Sequence, residues 1–334
     1  MDRDLTIIVT PADDWETYST TWSKAMKQYY WYQDNPVFDF NKHEELEEMR
    51  TDFDKPGNLF LTAKTQGRDE VIGVLGLRYR NTTARIRRWE PAVIPAFLKS
   101  SAAESLLNQA IKHLVSMGIK SVSCLIKYPV SMGDSFSHHL DLYRETYFEK
   151  SRPDSVDLIT SLRDVIHPSK TPQGVYVETG EEYEFEELAS IVVNSFTSTP
   201  EEREIHGFDK TVTEHIQATA LLQRMAEGFY GYSPDDLRKI AVAEGIPVGF
   251  VSAFLLESKY KPLTGVVGPV AILPDYRRRG IALHLIKEIL YTLKEHGCEY
   301  AAIGTPAANE GAIALYEKVG FTLSCQITNL EKEI

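Results

Sequence analysis

The sequence predicts an α/β protein made of two similar domains, each with a mixed sheet and helices on both of its faces. Length is the first observation behind this prediction, because 334 residues exceed the roughly 150 that one domain usually takes. The second is a diffuse internal repeat whose spacing is close to half the chain. The third is a composition of 43% hydrophobic and 25% charged residues, which is typical of globular proteins and excludes bulk disorder and fibrous repeats.

The repeat is clearest in a long amphipathic helix of the second half, which Gly297 terminates. An apolar stripe of the same spacing recurs in the first half and is also followed by a glycine. The stripe consists of Ala282, Leu285, Ile286, Ile289, Leu290 and Leu293 in the second half and of Ala103, Leu106, Leu107, Ala110, Ile111 and Leu114 in the first. Residues 248–251 likewise match 72–75, and residues 315–321 match 142–148. Three matches in the same order indicate a duplicated domain.

Each half therefore has the same order of elements. In the second half the patterns predict, in order, a strand at 175–178, helices at 183–195 and 211–227, strands at 239–243, 248–256 and 266–273, a helix after Gly280, a strand at 300–304, a helix at 311–319 and a strand from Phe321. A mixed sheet with helices on both faces follows from this order. Prolines and glycines at 167–174 interrupt both periodicities, so the predicted domains are 1–167 and 168–334.

The charge and the cysteines narrow the range of partners. A net charge of −12 disfavours nucleic acid, because an acidic surface repels phosphate backbones. The 3 cysteines lie far apart and lack C-x-x-C spacing, which argues against a disulfide framework or a zinc site and fits a reducing cytoplasm. His138 and His139 have no third ligand type beside them in the sequence, so no metal is predicted. Neither a signal peptide nor a membrane span is apparent, so no membrane partner is expected.

One segment of the second half has the character of an anion site. It follows a buried strand that ends at Pro274, and its residues are Arg277, Arg278, Arg279, Gly280, Ile281 and Ala282. The free amides and partial positive charge of a helix N-terminus attract anions, and a glycine lets a ligand approach the backbone. The alternative is a solvated basic loop with a turn glycine. No G-K-(S/T) or G-x-G-x-x-G pattern supports a triphosphate or dinucleotide site.

This segment resembles a known signature, (Q/R)-x-x-G-x-(G/A), which is typical of the GNAT superfamily of acyltransferases. A second stretch, residues 309–321, resembles the N-x-x-A-x-x-L-Y-x-x-x-G-F helix and turn of the same family. The resemblance covers the chain from Val175 to the C-terminus, and the residues up to about 165 are similar to a second, degenerate copy. It implies two tandem domains of the GNAT fold, an arrangement known in the superfamily with one active half.

The resemblance also implies a cofactor and its location. Acetyl-CoA, as acyl donor, would lie in a V-shaped gap between the strand that ends at Pro274 and the strand at 300–304. The backbone of Val270, Ala271 and Ile272 would pair with the pantetheine arm. One N–H of this strand would face the thioester carbonyl, where it stabilises the developing oxyanion.

Roles for side chains follow from the same resemblance. Residues 277–282 would hold the pyrophosphate, and Asn309 would contact the cofactor, cap the helix that follows, or do both. Tyr316 would protonate the departing thiolate as general acid, with packing against the sheet as the alternative. No covalent intermediate is needed, since both substrates bind at once and the amine attacks directly. The implied reaction moves an acetyl or other short acyl group to a primary amine of a small molecule or peptide.

The general base is the least determined role. Many relatives place a glutamate on the strand before the signature, but residues 266–273 contain no titratable side chain. Glu257, near the end of the preceding hairpin strand, is the candidate that we name. His206, Glu244 and a chain of solvent molecules are the alternatives.

The first half has lost most of the signature. Leu98, Ser100 and Ser101 stand where the second half has its first arginine, its last arginine and its glycine, so pyrophosphate affinity should fall sharply. Tyr143 persists at the position of Tyr316, where packing explains it. We therefore expect a structural or substrate-gating role for this half. Two other functions stay open for the whole chain: a non-catalytic acyl-CoA sensor, and an aminoacyl or acyl transferase with another donor.

Overall fold

The computed structural model describes residues 5–27, 41–130 and 137–334, and the side chains of Ser137 and His138 lie outside that description. The chain divides into two compact units. Unit 1 comprises Met1–Arg152 and Ile327–Ile334, and unit 2 comprises Pro153–Gln326. Both units combine strands with helices, which confirms the predicted α/β class.

Unit 1 is built on a row of strands. In sheet order these are β1 (Ile7–Pro11), β2 (Asn58–Thr65), β3 (Val71–Arg80), β4 (Thr83–Ile86) and β6 (Ser121–Pro129). β4 runs parallel to β6, and the pairs from β1 to β4 are antiparallel. The short strands β5 (Ala92–Val93) and β7 (Glu149–Lys150) pair with β3 and with the end of β14 (Thr322–Glu333). The helices are α1 (Trp15–Met26), α2 (Lys42–Asp52), α3 (Ala102–Ser116) and α4 (Ser137–Glu145).

Unit 2 has a second row of strands. In sheet order these are β8 (Ser155–Ser161), β13 (Tyr300–Pro306), β12 (Thr264–Ile272), β11 (Ile246–Leu256), β10 (Arg238–Ala243) and β9 (Val175–Thr179). β12 and β13 are parallel, and the other pairs in the row are antiparallel. The helices are α5 (Phe185–Phe196), α6 (Pro200–His206), α7 (Lys210–Thr213), α8 (His215–Ala226), α9 (Ile281–Glu295) and α10 (Glu310–Val319).

Helices cover both faces of the unit 2 sheet, as the element order predicts. One apolar cluster packs α9 and α10 on one face, with Ile281 and Leu285 among its buried members. The other packs α5 and α8 on the opposite face, where Leu188 and Leu222 share a cluster with Phe250. The predicted stripe of α9 is confirmed as a buried face, and so is most of its counterpart in α3, because side chains at helical spacing share one side of the helix.

Helix α6 was not predicted from the sequence. Its 7 residues are too few to show a periodicity, but a capping box starts it. Glu202 N donates to Thr199 Oγ1 at 3.1 Å, and Thr199 N donates to the Glu202 carboxylate at 3.0 Å. The predicted helix at 211–227 divides into α7 and α8, because Glu214 has an extended backbone with φ −115° and ψ 124°.

The compact units differ from the predicted domains, 1–167 and 168–334, at both ends. β8 groups with unit 2 because it pairs with β13 along its whole length. The end of β14 groups with unit 1, where Leu330 pairs with Lys150. The segment 167–174 as the boundary between the two sequence repeats stays a prediction.

Candidate functional site

A cleft opens in unit 2 where two parallel strands separate. β12 and β13 pair from Thr264 and Tyr300 as far as Val267 and Ile303. Beyond that point the two strands, both in the described part of the chain, no longer pair, and a cavity of ≈ 740 Å³ lies between their ends. Helices α5, α6, α7, α9 and α10 supply most of the remaining walls. The strand residues that line the cavity include Val270, Ile272, Gly304 and Thr305.

The free edge of β12 presents backbone groups to this cleft. Leu273 N donates to Val248 O of β11 at 2.9 Å, and the register places Ala271 in the next position on the same edge. Since the N–H and C=O groups of successive residues point to opposite edges of a strand, those of Val270 and Ile272 point toward the cleft. Ala271, by contrast, pairs toward β11, and its side chain is buried in the cluster of α5 and α8.

The N-terminus of α9 forms one end of the cleft. Gly280 precedes the helix with φ +82°, a left-handed conformation that favours glycine, and no described side chain caps it. His284 N donates to Gly280 O at 3.0 Å, so the amides of Ile281 to Leu283 have no partner within the helix. A Cβ on Gly280 would meet no described atom within 4 Å. Open amides at a helix N-terminus fit an anion.

The guanidinium of Arg277 is bound by the chain itself, although the residue lines the cleft. Nε donates to Ile272 O at 3.1 Å, and Nη2 donates to Ser195 O at 2.6 Å. Nη1 pairs with Glu202. Burial raises the pKa of Glu202, but hydrogen bonds from Ser198 and Arg277 outweigh this effect, so its pKa lies below the usual value and the pair is charged. Arg277 therefore ties α5 and α6 to the end of β12.

The other two arginines differ from each other. Arg278, with φ +61°, is exposed and lines the cleft beside the N-terminus of α9. Arg279 lies outside the described lining, where its Nη2 donates to Asp275 O at 2.8 Å and its guanidinium lies 5.0 Å from the centre of the Tyr276 ring. The pyrophosphate role stays a prediction for all three arginines, and Arg278 is the one whose position favours it.

Two of the predicted site residues, Asn309 and Tyr316, line the cleft from α10 and its N-cap. Ala312 N donates to Asn309 Oδ1 at 3.2 Å, which confirms Asn309 as the N-cap, and the residue also lines the cleft. Tyr316 is buried and lines the cleft as well. Burial raises the pKa of its phenol, so the group is protonated at neutral pH. The described residues include no hydrogen-bond partner for its hydroxyl.

His206, at the end of α6, lines the same cleft. Its Nε2 lies 3.5 Å from Asn309 Nδ2, and its ring packs edge-on against Phe196 with the ring centres 4.7 Å apart. Burial lowers the pKa of the imidazole, and the carboxylates of Glu202 and Asp209 act in the opposite direction. The net effect favours a neutral ring near pH 7.

The other candidate bases lie elsewhere. Glu257 is exposed just beyond β11 and lies outside the described lining of the cleft. Glu244, in the turn between β10 and β11, is also exposed and outside that lining. Glu257 as the base stays a prediction. Sequence reasoning missed Glu202 as the partner of Arg277, although the spacing of Thr199 and Glu202 signals the capping box that orients it.

The corresponding part of unit 1 has a much smaller cavity among the residues that the structure describes. β4 and β6 pair as far as Arg85 and Ser123, and the space beside their ends holds a cavity of ≈ 10 Å³. Trp89, Glu90 and Tyr143 are among the residues around it, and the Tyr143 hydroxyl donates to Glu90 O at 2.5 Å. A cavity of this size holds about one water molecule, so a pantetheine arm does not fit into this cavity.

The start of α3 also differs from that of α9. Ser101 replaces the left-handed glycine and has φ −77°. Ala102 N donates to Ser100 Oγ at 3.3 Å, so a side chain of unit 1 itself binds one of the first amides. Both differences agree with the expected loss of pyrophosphate affinity in this half.

Among the described residues, no group of three or more histidine, cysteine, aspartate or glutamate side chains could hold a metal ion. None of the described helices has the length and apolar character that crossing a membrane requires. Cys124, Cys298 and Cys325 are buried and form no disulfide.

Sequence comparisons identify the region that contains the cleft. Residues 199–321 match the model of the acetyltransferase (GNAT) family. N-alpha-acetyltransferase 30 of Xenopus laevis is 37% identical over 57 residues, which are 17% of this chain and 21% of that protein. N-alpha-acetyltransferase MAK3 of Arabidopsis thaliana is 35% identical over 57 residues, which are 17% of this chain and 30% of that protein. The match thus spans less than a third of either relative.

Solved structures resemble the chain along nearly all of its length. A GCN5-related N-acetyltransferase from Sphaerobacter thermophilus is 16% identical with a TM-score of 0.62, covering 98% of this chain and 95% of that one. A tandem GNAT protein from the clavulanic acid biosynthesis pathway is 14% identical with a TM-score of 0.52, covering 99% and 98%. These likenesses concern the fold alone, and they confirm the predicted fold. The match to the acetyltransferase (GNAT) family model is confined to residues 199–321, which include most residues that line the cleft.

Proposed function

We propose that this protein is an N-acetyltransferase that moves an acetyl, or another short acyl group, from acetyl-CoA to a primary amine by direct attack in a ternary complex. One observation carries the proposal: the cleft between β12 and β13 ends at the uncapped N-terminus of α9. A strand edge for the pantetheine arm and open amides for the pyrophosphate thus belong to one site. This site lies within the residues that match the family, 199–321.

The residues present fit acetyl-CoA. The first amides of α9 and the guanidinium of Arg278 supply donors and positive charge for a pyrophosphate. The N–H and C=O of Val270 suit an amide of the pantetheine arm, as those of a neighbouring strand would. The cavity of ≈ 740 Å³ is within the range of roughly 300 to 1,000 Å³ that is usual for ligand sites.

The β12 backbone and Tyr316 act on the reacting atoms in this proposal. An N–H of Val270 or Ile272 stabilises the oxyanion, and removing such a donor costs on the order of 3 kcal/mol. When the C–S bond breaks, Tyr316 donates its proton to the sulfur. Burial keeps its phenol protonated at neutral pH because it raises the pKa, and a proton donor must start in that form.

The acceptor that we propose is a primary amine of a peptide or a small molecule. The name N-alpha-acetyltransferase of the matched relatives favours a peptide α-amine, over the 57 residues that match. Nucleic acid, a membrane and a metal have no part in the proposal, and the net charge of −12 disfavours nucleic acid. Three cysteines that form no disulfide agree with the reducing cytoplasm that we propose as the location.

For unit 1 we propose a structural or substrate-gating role without acetyl-CoA. The small described cavity of ≈ 10 Å³ and the bond from Ala102 N to Ser100 Oγ at the start of α3 support this role. The two domains of the proposal correspond to the sequence repeats 1–167 and 168–334.

Two measurements on the full chain test the proposed function. Calorimetric titration with acetyl-CoA should detect one site per chain; a second site would show that unit 1 also binds, and no heat would refute the proposal. Thiol release from acetyl-CoA is then followed with a peptide that has a free α-amine, with lysine, with a polyamine and with an amino sugar. We expect release with at least one of them. Binding without release would indicate the acyl-CoA sensor, and little affinity would indicate a transferase with another donor.

A further inference from the structure

We propose that His206 accepts the proton that the acceptor amine loses when it attacks the thioester. This inference rests on the proposed function, because it assigns a residue to the same reaction. His206 lines the cleft that also contains Tyr316, and 7% of its surface is exposed. The imidazole is thus shielded from bulk water but borders the space in which the reactants would meet.

The carboxylates in the described lining are engaged by other groups. Glu202 pairs with Arg277 and accepts from Ser198 Oγ. Asp209 accepts from the backbone N–H and the hydroxyl of Thr211, as the cap of α7. The remaining titratable side chains of that lining are cations or phenols: Tyr276, Arg277, Arg278, Tyr316 and Lys318. Of the described lining residues, His206 is therefore the one suited to take up a proton.

Asn309 faces the ring nitrogen that takes up the proton in this proposal. Because Asn309 Oδ1 accepts from Ala312 N, its Nδ2 faces His206 Nε2, which presents a lone pair on that side when the neutral ring carries its proton on Nδ1. The separation of 3.5 Å exceeds the roughly 2.7 to 3.2 Å of an ordinary N–H hydrogen bond, so no short bond occupies the lone pair. Phe196 packs against the ring and limits its rotation.

The charges around His206 suit a base that works near neutral pH. Burial lowers the pKa of the ring, so it is neutral before the reaction. Glu202 and Asp209 stabilise the imidazolium once it forms, and Arg277 offsets part of the Glu202 charge. Acceptors of this kind contribute roughly 10² to 10⁴ in rate.

The proton balance of the step is complete. The amine nitrogen forms the C–N bond and loses one proton to His206 Nε2. The C–S bond breaks with its electron pair on sulfur, which takes the proton of Tyr316. The imidazolium and the phenolate then return to their resting forms by exchanging one proton through solvent.

The test compares the full chain with His206→Gln and with a matched control, His215→Gln. His215 is an exposed histidine of α8 outside the described lining of the cleft. Acetyl-CoA affinity is measured first by calorimetry. Thiol release is then followed between about pH 5 and about pH 8, where histidine titrates, with the amine of the panel that reacts fastest. We expect His206→Gln to bind acetyl-CoA normally and to lose kcat/KM by roughly 10² to 10⁴. Protonation of the acceptor amine produces an acid limb in every variant, so His206→Gln should keep that limb and lack the additional one that the imidazole gives the wild type and the control.

A His206→Gln variant that keeps both the rate and the pH profile of the wild type overturns the proposal. If the variant misfolds and loses acetyl-CoA binding, the proposal is tested on the wild type instead, by measuring how its pH profile changes with temperature. The additional acid limb of an imidazole moves to lower pH on warming, whereas that of a carboxyl hardly moves, so an additional limb that stays stationary also overturns it. A wild-type chain that binds no acetyl-CoA, or releases no thiol with any amine, contradicts the proposed function instead.

Discussion

Arg277 and Glu202 form an ion pair that joins the arginine-rich segment before α9 to helix α6. The same guanidinium donates to Ile272 O at 3.1 Å and to Ser195 O at 2.6 Å. Its Nη2 also lies 3.4 Å from Ser198 Oγ, and a guanidinium with four partners in its own unit has little capacity left for a phosphate. We infer that Arg277 positions α6, and with it His206, at the edge of the cleft.

Replacing Arg277 should therefore affect stability more than cofactor affinity. In Arg277→Gln, Glu202 loses its partner, and the loss of a charged hydrogen bond of this kind costs about 1.5 to 3 kcal/mol. We expect a lower unfolding free energy by calorimetry and a higher KM for the amine. The matched change Arg278→Gln should do the opposite, weakening acetyl-CoA binding with little change in stability. If Arg277→Gln weakened acetyl-CoA binding as much as Arg278→Gln, without loss of stability, Arg277 would be a phosphate ligand after all.

Gly280→Glu should abolish acetyl-CoA binding. The carboxylate would project from the N-terminus of α9 and repel the pyrophosphate. Gly280→Ala is the control for backbone strain, since any other residue at φ +82° costs roughly 1 to 2 kcal/mol, while an added Cβ meets no described atom within 4 Å. In calorimetric titrations, we expect the alanine variant to bind between the wild type and the glutamate variant. Equal affinity of a folded Gly280→Glu variant would refute the pyrophosphate site.

Tyr316→Phe should lower kcat with little change in acetyl-CoA affinity. No described residue bonds its hydroxyl, so the fold should keep its stability. The equivalent change in unit 1, Tyr143→Phe, should lower the stability instead of kcat. It leaves the buried carbonyl of Glu90 without the hydroxyl that donates to it at 2.5 Å, at a cost of about 1 to 3 kcal/mol, and should not alter kcat. Steady-state rates and thermal unfolding separate the two variants, and an unchanged rate for Tyr316→Phe at all pH values would exclude an acid role.

Glu90 should make the stability of unit 1 depend on pH. Its carboxylate is 2% exposed and accepts from the Tyr18 hydroxyl at 2.8 Å and from Gly76 N. Burial raises the pKa of Glu90 from 4.5 to about 7, although these hydrogen bonds and Arg87 act in the opposite direction. Because the folded-state pKa is the higher one, the stabilising contribution is fully present below the unfolded-state pKa and is lost as the pH rises through about 7.

Tryptophan fluorescence can follow this change in unit 1 alone, because all 4 tryptophans belong to that part of the chain: Trp15, Trp22, Trp31 and Trp89. We expect the free energy of unfolding to fall by about 3 kcal/mol as the pH rises from 4.5 to about 7. This figure follows from the relation of 1.36 kcal/mol per pKa unit. Glu90→Gln cannot ionise and should remove the dependence, whereas Glu16→Gln, at an exposed position of α1, should keep it. The same slope in Glu90→Gln as in the wild type would contradict this assignment.

How well the sequence predicted each element depended on the length of the pattern. The 15 residues of α9 show an apolar stripe preceded and followed by glycine, and these local features suffice to predict a buried amphipathic helix. The 7 residues of α6 make fewer than two turns of about 3.6 residues, so no periodicity reveals them. A single extended residue, Glu214, divides α7 from α8 without a change in the apolar pattern.

By itself, the sequence determined the duplicated α/β architecture, the family signature at 277–282 and the candidate acid Tyr316, because each depends on residue types at fixed spacing. Tertiary structure alone decided what these side chains contact. It turns Arg277 toward Glu202, leaves Glu257 outside the described lining of the cleft, and brings His206 to Asn309, 103 positions away. Such contacts join residues that lie far apart along the chain, and they depend on how helices and strands pack, which no local spacing encodes.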